Sequence, residues 1–349
     1  MAKMKAALMM APKEIVMGEI DKPECGDDEV LVNIKHVGIC GADLEFFENG
    51  GIGAWVLEFP HVIGHEPAGV IAEVGKNVTN VKVGDKVAIE PGKPCFVCPT
   101  CLKGKYNLCS KMSFMSIPLN FGGAPGAFCE YVAWPSNLVF KVPDEIDTAD
   151  ACLAEPLAVG IHSVQQSGIK FGQSAAIIGC GCIGLCVAMT LKAQGITDIY
   201  VTDFSPARLE KAMGIGVKAA FNADEVDAVQ AILDASGGGV DVVYECTGLQ
   251  GGVDTAIPLL NMGGTLQFIG LFGEPKQQVD LNGIIFKEAF TASTFRYCHN
   301  YPTAVKAIAS GTAPISKIVS HRFPVEKLGE AIAFNAANKD IVTKIVIEI

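Results

Sequence analysis

Four closely spaced cysteines form the first group of residues that could do chemistry. They lie in PCFVCPTCLKGKYNLC with the spacing C-x2-C-x2-C-x7-C, at Cys95, Cys98, Cys101 and Cys109. Four thiolates at this spacing suit a closed tetrahedral zinc site, in which every coordination position is filled and the metal is structural. An iron–sulfur cluster also takes four cysteines, and the spacing leaves that alternative open. We favour a structural zinc that fixes an exposed loop.

A glycine-rich turn indicates a second site. Gly179, Gly181 and Gly184 form G-x-G-x-x-G after the apolar run AAII and before an apolar helical pattern. In a dinucleotide-binding loop these glycines allow a tight turn, close approach of a pyrophosphate and close helix–strand packing, and the helix N-terminus binds phosphate. Asp203 lies nineteen residues after Gly184, where a carboxylate binds ribose hydroxyls and repels a 2′-phosphate. The pattern favours NAD, and Arg208 nearby leaves NADP open.

Sulfur, imidazole and carboxylate side chains at scattered positions form a third group. Cys40 lies in VGICGADLEFF, His65 and Glu66 lie in FPHVIGHEPAGV, and Glu155 lies in LAEPLAVGIHS. Three protein ligands and an open position are typical of catalytic zinc. Neighbouring residues of a regular strand point to opposite faces, so His65 and Glu66 can share a metal only if the chain turns between Gly64 and the following proline. Taken singly, each residue has an ordinary structural explanation, so a shared site needs further support.

The elements that must position these residues fall into two regions. As far as Glu155 the chain has short valine-containing runs between glycines and prolines, such as EVLVNIKHVG and GDKVAIEPG, which predicts a mostly-β domain. Strand and helix patterns then alternate over about 135 residues, which predicts an α/β domain with a doubly wound parallel sheet. The final DIVTKIVIEI predicts a strand that returns to the first domain. We therefore predict a mostly-β domain of residues 1–156 and 294–349 and a Rossmann domain of residues 157–293.

Local signals refine the second region. Ser205 and Pro206 predict the start of a helix, and residues 252–260 predict another. The run GGTLQFIGL is a candidate edge strand that could continue a sheet across a dimer.

Composition limits the classes of protein that the chain can belong to. A length of 349 residues predicts about two domains. The formal charge of −11 and the pI near 5.1 argue against a nucleic-acid partner. No apolar run reaches about 18 residues, so no membrane span is expected. Thirteen cysteines without a signal-peptide pattern favour reduced thiols and metal sites in a cytoplasmic protein.

Several segments together make the chain recognisable. VGICGADLEFF, GHEPAGVIAEVG, VGDKVAIEPG, EPLAVGIHS, VVYECTG, TFRYCHNYPTAV and VSHRFPVEKLGEAI occur in the order found in zinc-containing medium-chain dehydrogenases. The chain resembles that family from end to end, and within it the sorbitol (polyol) dehydrogenases. The resemblance implies a GroES-like catalytic domain, a Rossmann domain, two zinc ions and one NAD per chain, and a homo-oligomer, either a dimer or a tetramer.

The resemblance also implies roles for individual residues. Cys40, His65 and Glu66 match the catalytic zinc ligands, Glu155 matches a glutamate that binds the zinc or its water, and the four cysteines match the structural zinc lobe. Where mono-alcohol relatives usually have a cysteine, Glu155 favours the polyol branch. The remaining matches are nucleotide contacts at Ile183, Asp203, Arg208, Gly270, Leu271 and Phe295, and substrate contacts at Phe114, Arg296 and Tyr297.

Three positions depart from the family pattern. Ala42 stands where a serine or threonine hydroxyl commonly relays the substrate proton. Glu45 and Phe46 stand where polyol enzymes usually have histidine and tyrosine, and Phe46 is then a pocket residue. We expect hydride transfer from a polyol to NAD, giving a ketose, with Glu155 or its water as proton acceptor and Glu45 as the second candidate. Another secondary alcohol, such as butanediol or threonine, is the first alternative, and a non-catalytic NAD- or zinc-binding protein is the second.

Overall fold

Two units of structure share the chain in this computed structural model, which describes residues 2–274 and 276–349. The first unit comprises residues 2–155, Tyr301–Ser310 and Val319–Ile349, and the second comprises Pro156–Asn300 and Gly311–Ile318. None of the helices within the described ranges combines the length and the apolar character that crossing a membrane requires.

The strands and helices are as follows. The strands are β1 Lys3–Ala11, β2 Glu14–Asp21, β3 Glu29–Gly38, β4 Gly51–Ile52, β5 Trp55–Val56, β6 Glu66–Val74, β7 Lys86–Ile89, β8 Gly92–Lys93, β9 Ser113–Phe114, β10 Tyr131–Pro135, β11 Val139–Lys141, β12 Ala175–Ile178, β13 Ile199–Asp203, β14 Ala219–Asn222, β15 Val240–Glu245, β16 Leu260–Phe268, β17 Phe290–Ser293, β18 Val319–Pro324 and β19 Lys344–Glu348. The helices are α1 Gly41–Asn49, α2 Pro99–Leu102, α3 Thr148–Ala151, α4 Ala154–Ser167, α5 Cys182–Ala193, α6 Pro206–Ile215, α7 Ala228–Ser236, α8 Gln250–Leu259, α9 Leu281–Phe286, α10 Tyr301–Ala309 and α11 Leu328–Ala337.

A seven-stranded sheet organises the first unit. Its strands run in the order β11-β7-β6-β3-β19-β18, and β10 also pairs with β3. The pairs on either side of β3 are antiparallel, and buried valines and isoleucines such as Val32, Ile34 and Ile345 form the core. Because β19 pairs with the end of β3, the C-terminal strand lies beside a strand from the first forty residues of the chain. The predicted return of the final strand is therefore observed.

A parallel sheet of six strands organises the second unit, in the order β14-β13-β12-β15-β16-β17. This is the doubly wound sheet that the alternation of strand and helix patterns predicts. All four residues of β12 are buried, as expected for a central parallel strand that is covered on both faces. Ser205 caps α6 by accepting a hydrogen bond from the Arg208 N–H at 3.2 Å, and Pro206 follows in the first turn, as predicted.

The prediction that GGTLQFIGL forms an edge strand is wrong. GGTLQF belongs to β16, which has β15 on one side and β17 on the other. The edge at that side of the sheet is instead β17, whose four residues FTAS carry only a short strand pattern. The Thr294 N–H donates to the carbonyl of Phe268 at 2.9 Å, so residues just after β17 remain paired with β16. Residues 294–300 consequently lie in the second unit, whereas the sequence placed them in the first.

Candidate active site

Three side chains of different chemistry meet between α1 and the start of β6. Cys40 is the residue immediately before α1, His65 precedes β6, and Glu66 is the first residue of β6. Gly64 has φ +96°, and a Cβ on it would lie 2.7 Å from the Phe128 ring, so the chain turns where the sequence requires it. One ligand atom from each of Cys40, His65 and Glu66 lies within 4.8 Å of the other two. The chain therefore places sulfur, nitrogen and oxygen donors around one point.

Asp43 holds two of these residues in place. It is 0% exposed, its Oδ2 accepts a hydrogen bond from the Cys40 N–H at 2.9 Å, and its Oδ1 accepts one from the Gly64 N–H at 3.2 Å. The same Oδ1 lies 3.8 Å from the Nδ1 of His65. Burial raises the pKa of Asp43, although the positive charge that His65 carries when protonated would lower it. One buried carboxylate thus fixes the backbone that presents the sulfur and the imidazole.

The donor set fits zinc. Thiolate, imidazole and carboxylate are the ligands of catalytic zinc, and such a histidine usually turns its other ring nitrogen to a carboxylate. His65 Nδ1 is buried and makes no hydrogen bond among the described residues, which suits a ring fixed between a metal and Asp43. Burial, followed by the negative charge of Glu66, raises the pKa of the Cys40 thiol. A divalent cation would reverse this effect, because a coordinating thiol is deprotonated outright.

The two predicted proton acceptors have different surroundings. Glu155 is buried in the first turn of α4, and its charge contributes to the raised pKa of Cys40. Glu45 is exposed on α1 and accepts a hydrogen bond from the Asn49 side chain at 3.0 Å. Ala42 is partly buried in the first turn of α1. Glu155 is therefore a buried carboxylate whose charge acts on Cys40, whereas Glu45 lies on a solvent-exposed helix surface.

The two predicted aromatic contacts also differ. Phe114 is buried, and its ring centroid lies 5.7 Å from that of His65 with the planes tilted by 54°. Phe46 is 1% exposed and belongs to the hydrophobic core of the first unit. Phe114 thus lies beside His65, whereas the packing of Phe46 is that of a core residue.

The four-cysteine lobe closes around a single point. All four sulfurs lie within 4.8 Å of one another, with separations of 3.4 Å between Cys98 and Cys101, 3.8 Å between Cys98 and Cys109 and 3.5 Å between Cys109 and Cys95. Tetrahedral coordination with zinc–sulfur bonds of about 2.3 Å requires edges of about 3.8 Å. Backbone N–H groups of Cys95, Cys98 and Lys111 donate to these sulfurs at 3.3 Å. The lobe fits a structural zinc with all four positions filled.

The glycine loop has the shape that a dinucleotide requires. Gly179 has φ +94°, which makes the tight turn after β12. A Cβ on Gly184 would overlap the carbonyl oxygen of Gly179, so the third glycine permits close packing of α5 against the turn. A Cβ on Gly181 would meet no atom within 4 Å. Open space in front of Gly181, at the N-terminus of α5, is the cradle that a pyrophosphate fits.

Asp203 ends β13 beside this loop. Its Oδ2 accepts a hydrogen bond from the Cys180 N–H at 2.7 Å, and its Oδ1 accepts one from the Ser205 N–H at 2.9 Å. Arg208 lies on α6 with Nη1 3.8 Å from Asp203 Oδ2. The carboxylate is thus held at the strand end and pairs with Arg208, the cation that the sequence left open for a 2′-phosphate, which favours NAD.

Other predicted cofactor and substrate residues lie near the carboxyl ends of the strands of the second unit. Ile183 is partly buried in the first turn of α5. Gly270 follows β16, and a Cβ on it would lie 2.6 Å from Gly248 Cα in the loop after β15. Leu271 is strongly exposed. The two loops therefore pack back to back, and Leu271 points to solvent.

The segment after β17 carries the remaining predicted residues. The Arg296 guanidinium stacks over the Phe295 ring at 4.7 Å, and Tyr297 is buried. Arg296 has φ +56°, an uncommon backbone conformation for a residue with a side chain. Such conformations cluster at binding sites, which agrees with a role for this segment.

Sequence reasoning missed Asp43 and Lys344. Asp43 lies three residues after Cys40 in CGAD, where a carboxylate in the first turn of a helix is a recognisable signal. Lys344 is buried, with its Nζ 2.6 Å and 2.5 Å from the two carboxylate oxygens of Glu66. These two residues are 278 positions apart, and no local pattern connects them.

Comparisons with known proteins agree with this geometry. Residues 26–144 match the alcohol dehydrogenase GroES-like domain family, and residues 182–310 match the zinc-binding dehydrogenase family. Sorbitol dehydrogenase of Bacillus subtilis (strain 168) is 37% identical over 330 residues, which cover 94% of this chain and 92% of that protein.

Two solved structures share the whole fold. One is an Escherichia coli oxidoreductase/dehydrogenase of unknown specificity, with a TM-score of 0.94, 32% identity and 99% of each chain covered. The other is 2R,3R-butanediol dehydrogenase of Bacillus subtilis, with a TM-score of 0.89, 32% identity and 99% of each chain covered.

Proposed function

The chain belongs to the zinc-binding medium-chain alcohol dehydrogenase family, on its sorbitol dehydrogenase-like side, and from this premise we propose that its substrate is a small polyol. The reaction moves a hydride reversibly between a secondary alcohol carbon and NAD, and the product of oxidation is a ketose. A vicinal polyol of about four to six carbons is the proposed substrate class, because a polar pair such as Arg296 and Tyr297 would suit neighbouring hydroxyls.

One observation carries the proposal. Cys40, His65 and Glu66 bring three kinds of donor atom within 4.8 Å of one another. The buried Asp43 accepts hydrogen bonds from the backbone N–H groups of Cys40 and of Gly64, the residue before His65. A structural metal site fills all its positions with protein ligands, whereas three protein ligands leave a position for substrate. The open cradle at Gly181 supports a dinucleotide as the second reactant.

The chain supplies positioning and proton transfer. When bound, zinc supplies a Lewis acid that makes the substrate hydroxyl more acidic, and NAD accepts the hydride. In our proposal Glu155 accepts the hydroxyl proton, directly or through a water molecule, because it is a buried carboxylate whose charge acts on Cys40. Glu45 is the second candidate, although its exposure and its bond to Asn49 favour it less. Ala42 has no group that could relay a proton.

The proposed substrate contacts rest partly on the match to the family and partly on packing in the structure. Phe114 is proposed to form an apolar wall, since it lies beside His65. Arg296 and Tyr297 are proposed to bind the hydroxyls next to the reacting carbon. Phe46 packs in the hydrophobic core of the first unit, so we propose no direct contact between it and the substrate.

Two alternatives have specific support. The similarity to 2R,3R-butanediol dehydrogenase favours a smaller secondary alcohol, and threonine dehydrogenation would use the same metal chemistry. A non-catalytic NAD- or zinc-binding protein would fit the missing hydroxyl at Ala42. The three-donor site argues against that second alternative, because a binding protein has no need for an open metal position.

The experiment is NAD reduction by the zinc-replete protein with a panel of substrates. The panel contains four- to six-carbon polyols, 2,3-butanediol, threonine and simple secondary alcohols, with NADP as the cofactor control. Polyol-dependent activity with NAD supports the proposal. Activity with butanediol or threonine alone would leave the chemistry intact and refute the polyol assignment. Zinc-replete protein without activity on any substrate would favour the non-catalytic alternative.

We also propose that the protein is a homo-oligomer that pairs through β17. This edge strand carries the exposed Phe290, and the neighbouring Leu281, Ile285 and Phe286 are exposed on α9. An exposed apolar edge strand is a template for pairing with a second copy. Light scattering should give at least a dimer, and Phe290→Lys should yield monomers. A monomeric unmodified protein would refute this proposal without affecting the catalytic one.

A further inference from the structure

A buried ion pair joins the metal site to the C-terminal strand. Lys344 is 3% exposed and Glu66 is 1% exposed. The Lys344 Nζ lies 2.6 Å from Glu66 Oε1 and 2.5 Å from Glu66 Oε2, and it also donates to the Ile39 carbonyl at 2.8 Å. The ammonium therefore engages both oxygens of a carboxylate that is also a proposed metal ligand.

Strand pairing builds this contact. In the sheet of the first unit, Gly38 at the end of β3 pairs with Glu66 of β6, and it also pairs with Val346 of β19. A Cβ on Gly38 would overlap Glu66 Oε2 and lie 3.1 Å from the Lys344 Cε. The glycine thus leaves the space through which the lysine reaches the glutamate. A residue with a side chain at position 38 would therefore disturb the ion pair.

We propose that Lys344 is a positioning residue that competes with the metal ion for Glu66. The proposal rests on the proposed function, because it takes Cys40, His65 and Glu66 as the metal ligands. Without metal, the ammonium neutralises a buried carboxylate that would otherwise be costly to leave unpaired. With metal, the same positive charge lies close to a dication and opposes its binding. Lys344 therefore keeps the site formed when it is empty and lowers its affinity for zinc.

Variants of Lys344 can separate the effect of its positive charge from the effect of its hydrogen bonds. Lys344→Gln retains a donor for Ile39 and Glu66 but removes the positive charge, and Lys344→Met removes both. Lys344→Arg retains the charge, although its planar head differs in shape. A lysine that only supported the structure would give a Gln variant like the unmodified protein and a Met variant with weaker metal binding.

The test measures zinc affinity, not activity. The metal-loaded protein is equilibrated with chelator buffers of graded free zinc, and the zinc retained per chain is determined. Cys40→Ser identifies which release step belongs to the open site and separates it from the four-cysteine lobe. We expect Lys344→Gln and Lys344→Met to bind zinc at least about tenfold more tightly at the open site, since a unit charge near a buried ion is weakly screened. Lys344→Arg should stay within about threefold of the unmodified protein.

A second readout uses thermal unfolding. The difference in Tm between zinc-loaded and zinc-depleted protein should be larger for Lys344→Gln than for the unmodified protein, because the stabilisation by a ligand grows with the logarithm of its affinity. Lys287→Gln is the matched control. Lys287 is partly buried, and in the part of the chain that the structure describes it donates to the backbone carbonyls of Ile257, Pro258 and Leu260, so its loss should not change zinc affinity.

The outcomes are distinguishable. Equal or weaker zinc binding by Lys344→Gln would overturn the proposal while leaving the proposed function intact. If Lys344→Met fails to fold, Lys344→Gln and Lys344→Arg still decide between charge and structure. An unmodified protein that holds zinc only in the four-cysteine lobe would refute the proposed metal site, and with it both proposals.

Discussion

Glu90 offers a sharp test of the electrostatics of the first unit. It is 2% exposed, and its Oε1 accepts one hydrogen bond, from the Tyr106 hydroxyl at 2.8 Å. Burial raises the pKa of Glu90 from 4.5 to about 7, and the bond from Tyr106 opposes this rise. The residue follows β7 and precedes the four-cysteine lobe, so its ionisation affects a region that supports the structural metal site.

The direction of the pH effect follows from the raised pKa. Well below pH 4.5 the carboxyl is protonated in both the folded and the unfolded chain, so its full contribution to stability is present. As the pH rises from 4.5 to about 7, the unfolded chain ionises while the folded chain keeps its proton, and the free energy of unfolding falls. The complete loss corresponds to about 3 kcal/mol at 1.36 kcal/mol per pKa unit. About 2 kcal/mol of it lies between about pH 5.5 and about pH 8.5.

Glu90→Gln removes the ionisation and retains an oxygen that can accept from Tyr106. We expect the free energy of unfolding of the unmodified protein to fall by about 2 kcal/mol relative to the variant between about pH 5.5 and about pH 8.5. The chain has two tryptophans, Trp55 and Trp134, and both lie in the first unit. Trp134 also donates its indole N–H to the Glu90 carbonyl at 2.8 Å. Tryptophan fluorescence during urea unfolding therefore reports the relevant unit directly.

Glu145→Gln is the matched control, because Glu145 is exposed in the same unit. Subtracting curves for the variant from curves for the unmodified protein cancels the histidines that titrate in the same range. Parallel stability curves for Glu90→Gln and the unmodified protein would show that Glu90 stays ionised in the folded chain, and the reasoning from burial would then be wrong.

Four further predictions concern the proposed sites. Glu155→Gln should lower turnover at least about a hundredfold with unchanged NAD affinity, as expected for loss of a general base; unchanged turnover in a stopped-flow assay would exclude Glu155. Arg296→Ala should reduce kcat/KM for polyols at least about tenfold more than for simple secondary alcohols, consistent with loss of a charged hydrogen bond, and equal losses would exclude a role in hydroxyl binding. Asp43→Asn should weaken zinc binding by about ten- to a hundredfold, which equilibrium zinc retention checks. Gly181→Val should weaken NAD binding measured by calorimetry with little change in Tm, because its side chain enters open space; normal NAD binding would place the cofactor elsewhere.

The sequence could predict whatever depends on local periodicity or short spacing. The four-cysteine lobe spans fifteen residues, and its C-x2-C-x2-C-x7-C spacing is a local pattern that predicts a closed metal site. The glycine loop and α6 carry their own turn and capping signals. His65 and Glu66 could be assigned to one metal only through the family resemblance, and Gly64 made the necessary turn plausible.

The rest depends on strand order, which short patterns do not encode. Every hydrophobic run in the second unit is compatible with a central or an edge position, so GGTLQFIGL could be mistaken for an edge while β17 was overlooked. Lys344 lies in a run, TKIVIEI, that predicts a strand but not its neighbours. Only the pairing of β19 with β3 brings this lysine to Glu66. The most distant pair in the site is therefore the one that sequence reasoning could not find.

Three buried carboxylates of the first unit are associated with the proposed metal site, namely Asp43, Glu66 and Glu155. Their different surroundings suit them to different roles. Asp43 is engaged by two backbone N–H groups and faces His65, so it orients ligands. Glu66 is engaged through both oxygens by Lys344, so its charge is shared between the lysine and the metal. A group that is bonded in this way is poorly placed to take and release a proton in every turnover, since each transfer would break a buried ion pair or release two backbone donors. We therefore assign proton transfer to Glu155, a buried carboxylate whose charge acts on Cys40, and not to Asp43 or Glu66.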